Sequence, residues 1–376
     1  MNFMVSRHEL WEERYSRQIR FAPVGAGGQQ RLSESSVLIV GCGALGASLA
    51  QHMARAGVKE LRIVDRDYVE PSNLQRQTLF DERDALQSLP KAIAAAAKLQ
   101  KINSQVAVEP IVANAHSGNI DRLLDGMQLV LDGTDNAAAR LMLSDRCFER
   151  SIPYVFGGVA GSKGMSALLM KGSTPCLRCL IGGEEALAAA DTCDSVGVLS
   201  PAVEMVVSLQ AAEAIKWLTD NKDTLHGSLV SIDIWHLQLR RSRLPAAIQN
   251  CFYCGNIQHA STSHHADKAL ERSGAGKRTR PLSIDREQSA LLCGRDTIQL
   301  TLTAELELGQ MQRRLNAAGC EVTSNRYLVK AVLPDKEKLV LFADGRVLVH
   351  GTDKVERAIS LCLEYVIGNT ERSGHL

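Results

Sequence analysis

The stretch Ser36–Gln77 limits most strongly what this chain can fold into. It reads SVLIVGCGALGASLAQHMARAGVKELRIVDRDYVEPSNLQRQ. An apolar run, Val37–Val40, ends in Gly41-Cys42-Gly43-Ala44-Leu45-Gly46. An Ala-rich run of helical character follows and closes at Gly57. A second apolar run, Leu61–Val64, ends at Asp65. This order predicts a βαβ unit with its glycines at the strand-to-helix turn. Gly41 permits the tight turn, Gly43 lets backbone N–H groups approach a phosphate, and Gly46 lets the helix lie close on the strand. The helix N-terminus favours an anion. Asp65, 19 residues after Gly46, is placed to accept from a ribose hydroxyl. Taken alone, these residues predict a nucleotide site with NAD as the default ligand. The plainer alternative is a glycine-rich core turn without a ligand; strand, turn, helix, strand and acid in this order speak against it.

The residues after Asp65 change the expectation. Asn73-Leu74-Gln75-Arg76-Gln77 places an amide, a guanidinium and another amide just past the second strand. An NAD site needs no such cluster there. A triphosphate does, because Arg offers planar, multi-donor phosphate contacts. Thr78–Leu89 is polar and reads as a mobile loop. Pro90 then opens a helix over Lys91–Lys101. A Lys at a helix start is not favoured by the dipole, so Lys91 points either to a nearby anion or to an ordinary surface position. A strand over Val106–Val112, a short helix over Asn119–Asp125 and a strand over Met127–Leu131 lead to Asp132-Gly133-Thr134-Asp135-Asn136. Asp and Asn at a strand's carboxyl end face the ligand crevice of an open α/β sheet. Either Asp135 or Asn136 can cap the following helix, which runs to about Arg150, but capping accounts for only one of them.

Two Cys-x-x-Cys pairs follow, Cys176/Cys179 and Cys251/Cys254, with 71 residues between them. One pair fits a redox site or chance; two predict a tetrahedral structural zinc site with no open coordination position. Between them, Ile152–Phe156 and Met165–Met170 read as strands around a glycine-rich turn region, Gly157–Gly164. Gly182–Ser200 reads as a poorly ordered crossing loop. Cys193 in that loop is flanked by Thr192 and Asp194, and neighbouring acids raise a thiol's pKa rather than activate it. Ser200, as N-cap, and Pro201 then start a helix over Ala202–Thr219 with an apolar stripe of Val203, Val207, Ala211, Ala214 and Leu218. Ser228–Ile234 reads as the last strand of the domain.

Composition sets the outer bounds. A chain of 376 residues, 45% hydrophobic, supports a packed globule of two domains rather than disorder. A net charge of +1 gives no global electrostatic case for nucleic acid or membrane partners. The N-terminus lacks a secretory apolar segment, and no apolar run approaches spanning length. Ten cysteines in such a chain favour thiols and metal over disulfides, so a cytoplasmic protein is expected. Ile257–Arg280 lacks apolar periodicity and reads as a linker, and its His259, His264 and His265 fit ordinary exposed histidines better than ligands. The expected domains are 1–255, a linker over 256–280, and a small α+β domain over 281–376. In that last domain Thr297–Thr303, Arg326–Leu333, Lys338–Ala343 and Arg346–His350 read as strands, Leu306–Ala317 and Asp353–Val366 as helices, and Asp344-Gly345 as a hairpin turn.

The motif set GCGALG, Asp65–Asp67, NLQRQ, Lys91, DGTDN and two CxxC pairs, from about Arg14 to Gly255, resembles the ThiF/MoeB/HesA family of ubiquitin-activating-type adenylyltransferases. The resemblance implies an α/β, Rossmann-like doubly wound sheet with a four-cysteine zinc site, acting as a homodimer. It implies that MgATP adenylylates the C-terminal Gly carboxylate of a ubiquitin-like sulfur carrier of ThiS or MoaD type ending in Gly-Gly, releasing pyrophosphate. Gly41, Gly43, Gly46, Asp65, Asp67, Asn73, Arg76, Gln77, Lys91, Asp135 and Asn136 would line the nucleotide. Asp135 would hold Mg²⁺, and Arg17 of the Arg14-Tyr15-Ser16-Arg17-Gln18 motif would reach the other subunit's triphosphate. In some members a Cys at the position of Cys193 joins the carrier covalently; others do not need it. The C-terminal domain resembles an extension of some bacterial members and carries no rhodanese-type cysteine loop, so the sulfur donor would be another protein. The rivals are a non-catalytic zinc scaffold that binds a carrier and an NAD-dependent oxidoreductase; the latter leaves Arg76, Lys91 and Asp135 unexplained.

Overall fold

The computed structural model describes residues 7–183, 196–255, 283–291 and 296–368. The chain separates into two units, Met1–Ile257 and Gln258–Leu376. The first contains α1 (Arg7–Arg20), α2 (Gly25–Leu32), β1 (Ser36–Val40), α3 (Ala44–Ala56), β2 (Glu60–Asp65), α4 (Glu82–Leu86), α5 (Lys91–Ile102), β3 (Ala107–Val112), α6 (Ile120–Leu124), β4 (Leu129–Asp132), α7 (Ala137–Glu149), β5 (Tyr154–Ala160), β6 (Lys163–Leu169), α8 (Leu177–Ile181), α9 (Ser200–Leu218), β7 (Ser228–Asp233) and β8 (Gln238–Arg243).

These strands make one sheet in the order β3-β2-β1-β4-β5-β6-β7-β8. The first five are parallel; β6, β7 and β8 are added antiparallel. Strands buried on both faces must be apolar throughout, and β1 is SVLIV for that reason. Ile39, Ile63, Leu131 and Val155 meet the apolar sides of α3, α5 and α9 on one face. Leu38, Val64, Val130 and Tyr154 meet α6, α7 and α8 on the other. This is the doubly wound, Rossmann-like architecture, and all the parallel strands present their carboxyl ends at one edge.

Several local expectations are corrected. Thr78–Leu89 is not a mobile polar loop: Leu79 and Phe80 are buried. Asp81 and Asp84 form a reciprocal cap on α4, and Lys98 of α5 ion-pairs with both. Gly157–Gly164 is mostly strand, and the turn is only Gly161-Ser162 between β5 and β6. Its glycines are needed for packing, because a methyl on Gly157 would overlap the Gln210 amide and one on Gly164 would overlap Val206, both on α9. Helix α9 begins at Ser200 itself, with Leu199 in the cap position. Ser228–Asp233 is not the last strand, because β8 follows it fully exposed. The Gly182–Ser200 crossing loop lies mostly outside the described residues, as do Cys193, His259, His264 and His265.

The second unit is a six-stranded antiparallel sheet. Its elements are β9 (Ile284–Leu291), β10 (Thr297–Leu302), α10 (Leu308–Ala317), β11 (Glu321–Ser324), β12 (Leu328–Val332), β13 (Lys338–Phe342), β14 (Arg346–His350) and α11 (Val355–Cys362). The order is β11-β12-β13-β14-β10-β9. The Asp344-Gly345 turn joins β13 to β14, with Gly345 at φ +88°. Leu315 of α10 and Leu361 of α11 pack on Leu300, Leu341 and Val349. The outer strands β9 and β11 are additions to the expected set, and a wider single turn, Leu363–Ile367, prolongs α11. Among the described residues, no helix is long and apolar enough to cross a membrane.

Two glycines make opposite predictions. A methyl at Gly46 would overlap the backbone carbonyl of Gly41, so Gly46→Ala should lower stability by about 3 kcal/mol through overpacking against rigid backbone. Gly27 in α2 has nothing within 4 Å of an added methyl group, so Gly27→Ala should add about 0.5 kcal/mol. Urea unfolding midpoints of the two variants measure both.

Candidate active site

The strand order reverses between β1 and β4, and a ligand crevice opens at such a switch point. Three glycines form its floor. Gly41, at φ +84°, lies so close to the β4 loop that a methyl there would come within 2.5 Å of the Gly133 oxygen. A methyl at Gly133 would overlap the Gly41 oxygen in return. Gly43 differs: its added methyl would meet only Gln77 Nε2, at 3.8 Å. Gly43 therefore leaves an open cradle at the N-terminus of α3. Gln77 beside it is buried, and its Oε1 has no hydrogen-bond partner among the described residues.

Asp65 closes the second side. Its Oδ2 accepts from Cys42 N at 2.5 Å and its Oδ1 from Asp67 N at 2.7 Å. Burial pushes its pKa up, opposed by Lys91 and by these N–H donors. The carboxylate thus shapes the glycine turn, and each oxygen keeps one lone pair for a further donor. Burial, with Asp65 beside it, also pushes the Cys42 thiol pKa up, which makes it inert. Tyr68 bridges Pro90, and Lys91 N donates to Asp67 O at 2.8 Å. That pairing brings the buried Lys91 ammonium to 3.3 Å from Asp67 Oδ2. The cation disfavoured at a helix start is compensated by this acid. Asn73 is buried, and its Oδ1 accepts from Glu70 N at 3.0 Å, which fixes the turn carrying Arg76. Arg76 is half-buried and donates to Ser72 O at 3.0 Å.

The loop after β4 divides its work between two acids. Asp132 is fully buried. Its Oδ1 accepts from Thr134 N and Oγ1, its Oδ2 accepts from Tyr154 Oη at 2.7 Å, and Arg140 Nε stands 3.4 Å away. Burial raises the Asp132 pKa, and Arg140 opposes the rise. Asn136 caps α7 by accepting from Ala139 N at 2.9 Å. Capping therefore accounts for Asn136, while Asp135 is left exposed at the crevice. An exposed carboxylate suits Mg²⁺, which takes one or two protein carboxylates and fills its other positions with water and phosphate oxygens.

Three residues of this site escape the sequence reading. Arg140 donates to Thr134 O at 2.6 Å and Gly157 O at 3.2 Å, tying the β4 loop to β5. Gln210 Nε2 donates to Asp132 O and Val155 O from α9. Tyr154 holds Asp132. Only Gln210 leaves a readable signal, a polar residue in register with the apolar stripe of α9.

The four cysteines of the two pairs come together, with every sulfur within 4.8 Å of the others. Cys176 and Cys251 are 3.7 Å apart, Cys179 and Cys254 3.9 Å. Tetrahedral zinc with Zn–S of about 2.3 Å requires S···S of about 3.8 Å, so the donor set fits that ion. Asp145 of α7 receives Arg178 Nε at 2.8 Å, and Arg178 lies over the Tyr253 ring. Burial pushes the Asp145 pKa up to about 6 against the pull of Arg178. The knuckle is thereby anchored to the helix that begins at Asn136.

Arg17 stands elsewhere. Its helix, α1, is fastened to the far end of α3. Tyr15 fills the space over Gly57 and receives Asn103 Nδ2 at 2.8 Å, and Gln18 donates to Ala56 O. The 13 residues of α3 separate that end from the Gly43 cradle by about 20 Å. Arg17 is exposed and has no ion pair among the described residues.

A mixed sheet, parallel from β3 to β5, with its glycine cradle at the switch point and a four-cysteine knuckle on α7's side defines a domain of the Rossmann-like class. The ThiF family model matches residues 15–253, and the chain belongs to that family. It is 38% identical over 363 residues to the sulfur carrier protein ThiS adenylyltransferase of Bacillus subtilis (strain 168), covering 94% of this chain and 99% of that one. The molybdopterin-synthase adenylyltransferase of Escherichia coli (strain K12) is 38% identical over 245 residues, 64% of this chain and 96% of that one. Among solved structures, E. coli MccB with ATP superposes with TM-score 0.56 at 22% identity over 65% of this chain and 75% of that one, a likeness of fold.

The two acids of the β4 loop should separate on substitution. Asp132→Ala leaves the Tyr154 hydroxyl and Thr134 N–H buried without an acceptor and should cost about 3 kcal/mol in urea unfolding. Asp135→Ala should stay within about 0.5 kcal/mol of wild type.

Proposed function

We propose that this chain is an adenylyltransferase that uses MgATP to activate the C-terminal glycine carboxylate of a small ubiquitin-like sulfur-carrier protein, of ThiS type. The observation that carries this reading is the open Gly43 cradle beside the exposed Asp135, in a chain whose B. subtilis relative of that activity matches it across 94% of its length. The E. coli molybdopterin-synthase adenylyltransferase matches over only 64% of this chain, so the full-length likeness favours the ThiS type over the MoaD type.

In this reading Gly41, Gly43 and Gly46 let the α3 N-terminus face the phosphates, and Asp65 and Asp67 take the ribose side. Arg76, Lys91, Gln77 and the turn held by Asn73 neutralise the triphosphate. Asn136 fixes the start of α7, so that Asp135 would hold Mg²⁺; when bound, that ion would supply charge neutralisation at the phosphates. The carrier carboxylate oxygen bonds to the α-phosphorus, and the bond from that phosphorus to the bridging oxygen breaks. Pyrophosphate leaves with the electron pair. The carboxylate attacks in its ionised form, so no proton has to move, and the chain's work is positioning and electrostatics.

The remoteness of Arg17 from its own cradle supports its acting on a second copy's triphosphate, within a homodimer. Zinc in the Cys176/Cys179/Cys251/Cys254 site would be structural, with all four positions filled by protein. Cys193 is the candidate thiol for joining the carrier: its sulfur would bond to the acyl carbon as the bond to AMP breaks, and sulfide-level sulfur from a donor outside this chain would then displace the thiol and leave the carrier thiocarboxylate. A cytoplasmic setting suits free thiols and a protein carrier.

Intact mass of a Gly-Gly-ended ThiS-type carrier, incubated with enzyme and MgATP, should rise by one AMP with release of pyrophosphate. Asp135→Ala should reduce this more than about 100-fold, the scale of lost transition-state charge stabilisation. No adduct and no pyrophosphate with any carrier would sink the proposal. Mixing Arg17→Ala with Asp135→Ala chains should restore about a quarter of wild-type activity, because half the dimers are mixed and each mixed dimer has one complete site. Elemental analysis should find one zinc per chain, lost in Cys251→Ser.

A further inference from the structure

The first unit holds a cavity that the crevice does not use. It has a volume of about 540 Å³ and is lined by His226, Gly227, Ser228, Arg241 and Arg243. A space of that size falls in the range of small-molecule sites. The cavity lies where β7 begins and β8 ends, since Ser228 pairs with Arg243 and Val230 with Arg241. Following the register from Leu131 through Val155 and Leu168 brings Ser228 level with Leu131. Three strand spacings, about 14 Å, therefore separate the cavity from the strand that carries Asp132.

Two arginines set its chemistry. Facing partners in an antiparallel pair share a side of the sheet. Arg241 and Arg243 thus stand on the side of Ser228 and Val230, where α9 packs. Arg241 is exposed yet held in place: its Nε donates to Ser228 Oγ at 2.9 Å and its Nη2 to His226 O at 2.6 Å. Those bonds leave the rest of its fork free for another acceptor. Arg243 is exposed and forms no hydrogen bond or ion pair among the described residues. Gly227, at φ +55°, has nothing within 4 Å of an added methyl group, so the wall between His226 and Ser228 stays open.

The charges nearby do not cancel this pair. Glu213 of α9 is already engaged. Its Oε1 meets Lys216 Nζ at 2.8 Å and His226 Nε2 at 3.5 Å, and its Oε2 accepts from His226 N at 3.0 Å. Lys216 neutralises that acid, and the two guanidiniums remain as net charge. Burial lowers the His226 pKa, Glu213 opposes the fall, and Lys216 and Arg241 add to it, so the ring is neutral at pH 7. Arginine forks match phosphate oxygens, and a tetrahedral dianion meets two forks at once, whereas a single carboxylate fills one. Nucleic acid is the poorer occupant, because its backbone needs a run of cations and the chain carries a net charge of only +1.

We propose that this cavity binds the phosphate group of a small molecule, held by Arg241 and Arg243 with His226 beside them, at a site separate from the crevice. The site stands whether or not the chain is an adenylyltransferase.

The test is calorimetric titration of the full chain, its crevice filled with a non-hydrolysable MgATP analogue, with inorganic phosphate and ribose 5-phosphate as probes. Both should bind wild type. Arg241→Gln/Arg243→Gln should weaken them at least about ten-fold, as for loss of hydrogen bonds to a charged group. Arg243→Gln alone removes no hydrogen bond of the described fold, and should weaken them at least about three-fold with an unchanged urea midpoint. Arg240→Gln, on the other side of the sheet, should change nothing. Tighter binding of ribose 5-phosphate than of inorganic phosphate identifies a phosphate ester as the ligand, and equal binding identifies the free ion; either result keeps the site. No binding to wild type, equal binding to the double variant, or an equal loss in Arg240→Gln would overturn it. So would a single-stranded oligonucleotide that binds more tightly than both probes, which would make the arginines part of a nucleic-acid surface.

Discussion

The first unit depends on three backbones in contact. Gly41, Gly46 and Gly133 approach one another so closely that no side chain fits between them, and the contact joins the first strand, the first helix and the loop of β4. Other elements follow from it. Because α3 lies tight on β1, its N-terminus points at the crevice. Because β4 lies tight on Gly41, the buried Asp132 can organise its loop and leave Asp135 outside. The acid on the second strand contributes from the other side, since Asp65 holds the Cys42 amide and sets the shape of the glycine turn. A glycine-rich turn is usually credited with room for a ligand. Here only Gly43 provides that room, and the other three glycines provide contact between chain segments.

Legibility in the sequence followed the strength of the local physics. The βαβ unit was readable because apolar runs, glycines and acid occur in a fixed order. The cysteine pairs were readable because their spacing has one dominant chemistry; the cap of α7 was readable only as either Asp135 or Asn136, and the bond from Ala139 N decides for Asn136. What escaped had no local mark. Arg140 looks like any helix arginine until β5 arrives beneath it. The exposed β8, QLRRSR, has no alternation because neither of its faces is buried. The β5–β6 glycines read as a turn, although they are required by Gln210 and Val206 on a helix more than forty residues later. The segment after Gln77 read as loose because its three buried apolar residues are few, and the ion pairs from Lys98 come from another helix.

The knuckle and the crevice are two ends of one helix. Asn136 caps α7 at the ligand side, and Asp145, two turns on, grips Arg178 between the cysteines of the first pair. The metal-type site is therefore part of what holds α7, and through it the β4 loop, at a fixed height above the sheet. This gives the four-cysteine cluster a bearing on the geometry of the crevice at the other end of α7.

Helix α3 is a spacer as well as a support. Its start faces the cradle and its end holds α1, so on the proposed reading one chain would carry the cradle for its own triphosphate and the basic residue that would serve another chain's, well out of reach of each other. On the reading in which Arg17 completes a second copy's site, a lone chain is unfinished by construction. Its turnover would then depend on how many copies the cell keeps, steeply at low abundance, and dilution alone would act as an off-switch that needs no inhibitor.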